Sequence, residues 1–132
     1  MTLESPGSRL AWAGGGDQPP TEGRAELRVG SADALPSFEA PFDKVLAVNV
    51  FMFWQDPVAV LAGVRGVMAP GGAIALTLQP RRRGATEDDT HAAAARMAAA
   101  LGAAGFVALR TELLEMEPVP AACVLGRNGP EA

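Results

Sequence analysis

The sequence predicts an α/β fold built on a mostly parallel sheet that ends in an antiparallel hairpin. Strand-like apolar runs alternate with segments of helical periodicity, which is typical of helices packed on a parallel sheet. The last two strand-like segments, residues 106–113 and 120–127, are separated only by a short acidic connection, which favours a hairpin. Hydrophobic residues make up 48% of the 132 residues and charged residues 20%, a composition typical of a folded globular chain.

The N-terminal part of the sequence shows little regular pattern. Residues 1–23 are rich in Gly, Pro, Ser and charge, and we expect a disordered or irregular segment there. Residues 25–29, AELRV, alternate apolar and polar side chains as a half-buried strand does. After a polar connection, the continuous apolar run at residues 44–50 is typical of a strand buried in a parallel sheet. We therefore expect one partial domain over residues 24–127.

The first helix has a clear start and stop. Asp56 followed by Pro57 is a strong N-terminal signal, and an apolar stripe follows over residues 58–68. Residues 70–72, Pro-Gly-Gly, predict a type II turn that ends this helix. Residues 73–79 then predict another apolar strand.

A second helix is predicted after the arginine-rich connector. Thr86 and the acids at 87–89 are favourable at a helix N-terminus. The alanine-rich segment 90–104 continues the helix, and Gly105 ends it. Beyond the closing hairpin, residues 128–132 predict a frayed tail.

Charge and cysteine content restrict the function classes. The net charge of −4 argues against nucleic acid or anionic membrane as a partner. Cys123 is the only cysteine, which fits a reducing cytosol, and no signal peptide is recognisable. The longest apolar run, residues 45–54, is about half the length of a membrane span. A cytoplasmic protein without a metal site is predicted.

Three stretches together resemble the class I S-adenosylmethionine-dependent methyltransferases. Residues 29–50 hold a strand end followed by Gly-Ser-Ala, then Leu-Pro and Phe-Asp before a buried strand. Residues 53–81 hold a helix, a Pro-Gly-Gly turn and a strand, and residues 101–113 hold Gly-Phe before the hairpin. The resemblance covers roughly residues 25–127. Each motif alone is unspecific, and their order and spacing carry the resemblance.

The resemblance implies a Rossmann-like sheet of seven mostly parallel strands in the order three, two, one, four, five, seven, six. The cofactor would lie across the carboxyl ends of the strands. Only 23 residues precede Arg24, fewer than the roughly 30 that a strand–helix–strand unit needs. The first such unit of the family is therefore expected to be missing.

The resemblance also implies the cofactor site. Ser31 and Ala32 match residues that contact the adenine edge, Asp33 is a weaker candidate, and Asn49 would face the methionine end and the methyl group. Aromatic residues follow at the pocket mouth: Phe51, Phe53 and Trp54. Each position has a second interpretation. Asp33 would cap a turn, Asn49 would satisfy backbone groups at a strand end, and the aromatic residues would belong to the core.

The glycine run Gly14–Gly16 does not match the cofactor loop of the family. No acid precedes it, the apolar segment before it is short, and Pro19 and Pro20 follow where a helix should begin. Loss of that loop and of the ribose-binding acid removes about 4 to 8 kcal/mol of hydrogen bonding. A micromolar ligand has only about 8 kcal/mol in total, so weak or absent cofactor binding is expected for this chain alone.

Two functions follow from these observations. The first is S-adenosylmethionine-dependent methyl transfer to an unidentified small-molecule acceptor, with no catalytic base recognised. The alternative is an inactive half-domain that serves as an interaction or dimerisation module. Without the first unit, strand 44–50 has an open edge. We expect AELRV, a second copy or a partner chain to cover it, or else the protein to aggregate.

Overall fold

The computed structural model describes residues 1–5, 8–13 and 25–129. The strands in these ranges are β1 (Thr2–Ser5), β2 (Ser8–Ala13), β3 (Ala25–Val29), β4 (Phe42–Val48), β5 (Met68–Leu78), β6 (Phe106–Leu114) and β7 (Ala121–Asn128). The helices are α1 (Pro57–Gly66) and α2 (Glu87–Ala103), and a 3₁₀ turn spans Phe51–Phe53. No helix in this part of the chain is long and apolar enough to cross a membrane.

The strands form one mixed sheet in the order β3-β2-β1-β4-β5-β7-β6. Strands β2 and β3 are parallel, as are β4 and β5, and the other neighbours are antiparallel. This is the strand order that the resemblance implies, and the antiparallel β6–β7 hairpin is present as predicted. The Rossmann-like fold class is confirmed.

The N-terminal residues supply two strands where the sequence predicts no regular structure. Strand β1 lies antiparallel to β4, with Leu3 opposite Val45 and Thr2 opposite Leu46. The edge of β4 from Lys44 to Leu46 is therefore covered by β1. The expectation that AELRV, a second copy or a partner chain covers this edge is wrong for these residues. Strand β1 occupies the edge because it gives hydrogen-bond partners to the β4 backbone and buries Leu3 completely.

Strands β1 and β2 form an antiparallel hairpin. Only two residues separate β1 from β2, and the two strands are antiparallel, with Leu3 opposite Leu10. A segment this short excludes a crossover helix between them. AELRV forms β3 as predicted, but at the outer edge of the sheet beside β2. The run Gly14–Gly16 lies outside the described residues.

The core lies between the two helices and one face of the sheet. Side chains alternate along the central strands, so that Val45 and Ala47 of β4 are buried while Leu46 and Val48 are exposed. The fully buried large side chains combine sheet and helix residues: Leu3, Leu61, Val64, Ile74, Leu76, Met97, Leu101 and Val124. Because these residues form one cluster, the helices and the sheet share a single hydrophobic core.

Helix α1 begins where the sequence predicts. The Asp56 carboxylate accepts a hydrogen bond from the Ala59 backbone N–H, with an Oδ1–N distance of 3.1 Å, and Pro57 is the first helical residue. This cap satisfies one of the N–H groups that lack a partner inside the helix.

The predicted turn at residues 70–72 lies inside β5 as a bulge. Phe42 is opposite Met68 and Lys44 is opposite Ala73, so β5 carries three extra residues at this point. Gly71 has a φ of 78°, a conformation that suits glycine. A β-carbon on Gly72 would lie 3.0 Å from the Ala69 carbonyl oxygen, so a side chain at this position would crowd the backbone.

Helix α2 begins with a charged cap. The Thr86 backbone N–H donates to Asp89 Oδ2 at 2.8 Å, and Arg82 Nη2 lies 2.9 Å from both oxygens of the same carboxylate. The Thr86 N–H bond first, and then the Arg82 guanidinium, lower the pKa of Asp89 below its ordinary value. Both contacts favour the ionised carboxylate.

The Asp89 cap predicts a pH-dependent loss of stability on replacement with asparagine. A carboxyl whose pKa is lower in the folded state stabilises the fold above its unfolded pKa, and this contribution is lost as the pH falls through the folded pKa. Asp89→Asn is expected to melt at a lower temperature than wild type near pH 7, and the difference should disappear in strong acid. Asp88→Asn is the control, because it removes an exposed acid from the same turn. Equal melting-temperature differences at pH 7 and pH 2 would contradict the prediction.

One residue assigned to the frayed tail belongs to the fold. Asn128 is the last residue of β7 and is 7% exposed. Its Nδ2 donates to the carbonyl oxygens of Met68 and Ala69, and its Oδ1 accepts from Arg65 Nε at 2.9 Å. The Arg65 guanidinium lies against Gly105, whose φ is 101°. These contacts join α1, β5 and β7 at the amino ends of the parallel strands.

Candidate functional site

A cavity of about 470 Å³ opens at the carboxyl end of β4. Its walls come from residues that precede β1, follow β3 and follow β4: Met1, Gly30, Ser31, Ala32, Val50, Phe53 and Trp54. The pairing directions explain this convergence. Strands β3 and β4 point the same way and β1 points the opposite way, so these ends meet at one edge of the sheet.

The segment after β3 forms a tight turn on one side of the cavity. The Ala34 backbone N–H donates to the Ser31 carbonyl oxygen at 3.1 Å. The Ser31 hydroxyl donates to the Asp33 carboxylate. Asp33 therefore accepts a hydrogen bond from the Ser31 side chain on the exposed side of the turn. Ala32 packs against the core. Asp33 itself is not part of the cavity wall.

The 3₁₀ turn after β4 supplies the aromatic wall. Hydrogen bonds from Phe53 N to the Val50 carbonyl oxygen (3.0 Å) and from Trp54 N to the Phe51 carbonyl oxygen (3.2 Å) hold the turn. The rings of Phe51 and Trp54 meet edge to face, with centroids 5.9 Å apart. Phe51 packs on the core, whereas Phe53 is 77% exposed at the cavity mouth. This exposed ring is available to a ligand.

Asn49 joins the ends of two strands. Its φ is 55°, which asparagine tolerates better than most residues. Its Oδ1 accepts from the Gln79 backbone N–H at 2.9 Å, and its own N–H donates to the Thr77 carbonyl oxygen at 2.8 Å. Asn49 thus satisfies backbone groups at the strand ends, which is the second of its two predicted roles, and it does not line the cavity.

Gln79 directly follows β5 and contacts the segment that connects β6 and β7. The side chain is buried, and its Nε2 donates to the carbonyl oxygens of Glu117 and Val119, both at 3.0 Å. The β6–β7 connection is therefore attached to the carboxyl end of β5. A polar residue directly after an apolar strand was the available sequence signal for this role.

The structure brings four of the seven predicted site residues onto the cavity wall: Ser31, Ala32, Phe53 and Trp54. Sequence reasoning did not find Met1, Gly30 or Val50. Gly30 directly follows a predicted strand and Val50 is the last residue of another, so their position at strand ends was a usable signal. Met1 lies in the segment predicted to be irregular, and burial lowers the pKa of its amino group.

The side chains that line the cavity are mostly apolar. Ala32, Val50 and Trp54 provide apolar walls, and Ser31 contributes a hydroxyl that donates to the Asp33 carboxylate. The volume of the cavity is in the range of small-molecule sites. In residues 1–5, 8–13 and 25–129, no cluster of His, Cys, Asp and Glu is arranged to hold a metal ion.

A comparison with known protein families identifies the family of the chain. The family model described as "Methyltransferase domain" matches residues 7–76, more than half of the chain. The chain belongs to this family. The resemblance to class I S-adenosylmethionine-dependent methyltransferases is confirmed.

A curated protein is similar to most of this chain. The "Uncharacterized methyltransferase YdaC" of Bacillus subtilis (strain 168) is 29% identical over 102 residues, which are 77% of this chain and 56% of the relative. The chain therefore spans just over half the length of this curated relative.

Two solved structures share the fold of the chain. The complex of the Haloferax volcanii Trm112 methyltransferase activator with a putative methyltransferase matches with a TM-score of 0.74 and 14% identity, over 96% of this chain and 73% of the matched chain. Human N-acetylserotonin methyltransferase in complex with SAM matches with a TM-score of 0.57 and 19% identity, over 81% and 34%.

Proposed function

We propose that the chain takes part in S-adenosylmethionine-dependent methyl transfer to a small-molecule acceptor. The observation that carries this proposal is the cavity at the carboxyl end of β4, lined by Ser31, Ala32, Phe53 and Trp54. Open α/β sheets bind their ligands at this edge. Membership of the methyltransferase domain family supports the same location.

The cavity walls fit the adenosyl half of the cofactor. The adenine ring would lie against Ala32 and Val50, with the Ser31 hydroxyl within reach of its polar edge. The exposed Phe53 ring would face the sulfonium, since a cation is attracted to an aromatic face. When bound, the cofactor supplies an electrophilic methyl group on a positively charged sulfur. The chain itself would orient the cofactor and exclude water with Phe53 and Trp54.

Binding by this chain alone is expected to be weak. The cavity wall in the described part of the chain contains no carboxylate that would hold the ribose hydroxyls. Each missing charge-assisted hydrogen bond lowers affinity by roughly 1.5 to 3 kcal/mol, or about a factor of ten or more. We therefore expect a dissociation constant of high-micromolar order or weaker.

A non-catalytic interaction module is the second candidate function. The observation that favours it is the β1–β2 hairpin, which stands where the family has its first strand–helix–strand unit. A domain without that unit keeps the sheet and loses the part that binds the methionine end of the cofactor. In this case the cavity would remain without a ligand-binding role.

A titration with S-adenosylhomocysteine, followed in ¹H–¹⁵N correlation spectra, distinguishes the two functions. At millimolar ligand we expect shifts for the amides of Ser31, Ala32 and Val50, and none for Asn128 at the opposite end of the sheet. Ala32→Arg, which fills the cavity, should remove the shifts. Ala99→Arg on the exposed side of α2 should retain them.

Two results would contradict these expectations. Unchanged cavity amides at millimolar ligand would reject cofactor binding and leave the interaction module. Saturation at low-micromolar ligand would reject the weak-site proposal, because it would require contacts beyond those of the described cavity wall.

A further inference from the structure

Strand β6 forms an exposed edge of the sheet and carries several exposed apolar side chains. It is the outermost strand of the described sheet and pairs there only with β7. Five apolar side chains on β6 and just after it are 39–48% exposed: Val107, Leu109, Leu113, Leu114 and Met116. An edge of this length leaves a row of backbone N–H and C=O groups available to another strand.

Two opposite charges lie at the middle of this edge. Arg110 and Glu112 are opposite Leu125 and Cys123 of β7, so they lie on the same face of the sheet. Arg110 Nη2 is 3.0 Å from Glu112 Oε2, and the two side chains remain 68% and 54% exposed. Both charges are therefore accessible to a strand that pairs with the open edge.

Leu109 and Leu113 flank these charges on the opposite face of the sheet. Leu113 is opposite the buried Ala122 of β7. Leu109 lies over Gly126 of β7 and Gly102 of α2, where β-carbons would be 3.0 and 3.6 Å from its methyl groups. A bulge between Val107 and Arg110 interrupts the ladder on the N-terminal side. Regular pairing of the open edge is therefore restricted to the segment from Arg110 to Leu114.

The charges select one antiparallel register for the pairing of β6 with β6 of a second copy. With Thr111 opposite Thr111, each Arg110 lies opposite a Glu112. With Glu112 or Arg110 at the centre, two like charges would lie opposite each other, which is destabilising. The edge is thus complementary to itself in the register centred on Thr111.

We propose that the chain forms a two-fold symmetric dimer in which β6 pairs antiparallel with β6 of a second copy, centred on Thr111. The sheet then continues across the dimer, and two Arg110–Glu112 pairs form between the copies. An interface made by one short strand from each copy is small, so the dimer is of the weak, transient class. We expect dissociation in the micromolar range.

This dimer can be tested by reversing each of the two charges in a separate variant and then mixing the two variants. Sedimentation velocity of the wild type from about 1 to 500 μM should show concentration-dependent dimerisation. Arg110→Glu and Glu112→Arg should each weaken self-association at least tenfold, because each variant places like charges opposite each other. An equimolar mixture of the two variants should dimerise again, because every pair between different variants is then of opposite charge.

The mixture separates pairing between copies from effects within one strand. Each single variant loses its internal Arg110–Glu112 ion pair, and mixing does not restore that pair. Arg83→Glu, a reversal in an exposed loop, should dimerise as the wild type does. A wild type that remains monomeric to 500 μM, single variants that associate as the wild type does, or a mixture that stays monomeric would each overturn the proposal.

Discussion

Replacement of Leu3 with alanine is expected to lower the free energy of unfolding by about 2 to 5 kcal/mol, the range for large-to-small substitutions in a core. Leu3 is fully buried and is the buried side chain of β1, a strand of only four residues. It anchors β1 against Val45 of β4. Loss of this anchor also exposes backbone groups of β4, so the variant should self-associate more strongly than the wild type.

Urea denaturation followed by circular dichroism measures the first effect, and light scattering measures the second. Thr2→Ala is the matched control, since Thr2 lies in the same strand and is only partly buried. Its effect should stay below about 1 kcal/mol. A Leu3→Ala variant as stable as Thr2→Ala would mean that β1 contributes little to the fold.

Replacement of Asn128 with alanine should lower the free energy of unfolding by about 2 to 4 kcal/mol, because buried polar groups lose their partners. The carbonyl oxygens of Met68 and Ala69 lose the Nδ2 donor, and Arg65 Nε loses the Oδ1 acceptor. Since Asn128 is only 7% exposed, water cannot readily replace these bonds.

Arg127→Ala provides the control on the same strand. Arg127 donates to the Gly71 carbonyl oxygen at 3.1 Å in an exposed position, so its removal should change stability by about 0.5 kcal/mol or less. Both variants should show the wild-type dependence of unfolding free energy on urea concentration. Equal stability of Asn128→Ala and Arg127→Ala would show that the buried bonds contribute no more than an exposed one.

Locally encoded elements were predictable from the sequence. Asp56–Pro57 begins α1 and Thr86 begins α2, because caps act on backbone groups within the next three residues. Strand β4 was predictable from its apolar content, although it begins at Phe42 rather than Lys44. The short connection between the last two strands predicted the hairpin, and the resemblance supplied the strand order.

Elements that depend on tertiary partners were not predictable. Strand β1 holds a single buried apolar residue, Leu3, and one residue defines no periodicity. It is ordered by β4, which lies about forty residues further along the chain. In the same way, Asn128 reads as a polar tail residue until β5 and α1 supply its partners.

The candidate site was predictable in part for the same reason. Ser31 and Trp54 were found because the resemblance places them in the segments that follow two strands. Met1 contributes to the wall only because β1 runs antiparallel to β4 and thereby brings its own start to the carboxyl edge. The role of Asn49 depends on Gln79, thirty residues away, and no local pattern encodes that contact.

The position of β1 has a consequence for synthesis on the ribosome. About forty residues separate Leu3 from its partner Val45, and at roughly 5 to 20 residues per second β1 waits about 2 to 8 seconds for β4 to be translated. The β1–β2 hairpin needs no later residue, because Ser5 pairs with Ser8, and hairpins form in microseconds. In the nascent chain, β2 can therefore pair with one edge of β1 early. Strand β4 can pair with the other edge of β1 once β4 emerges from the ribosome.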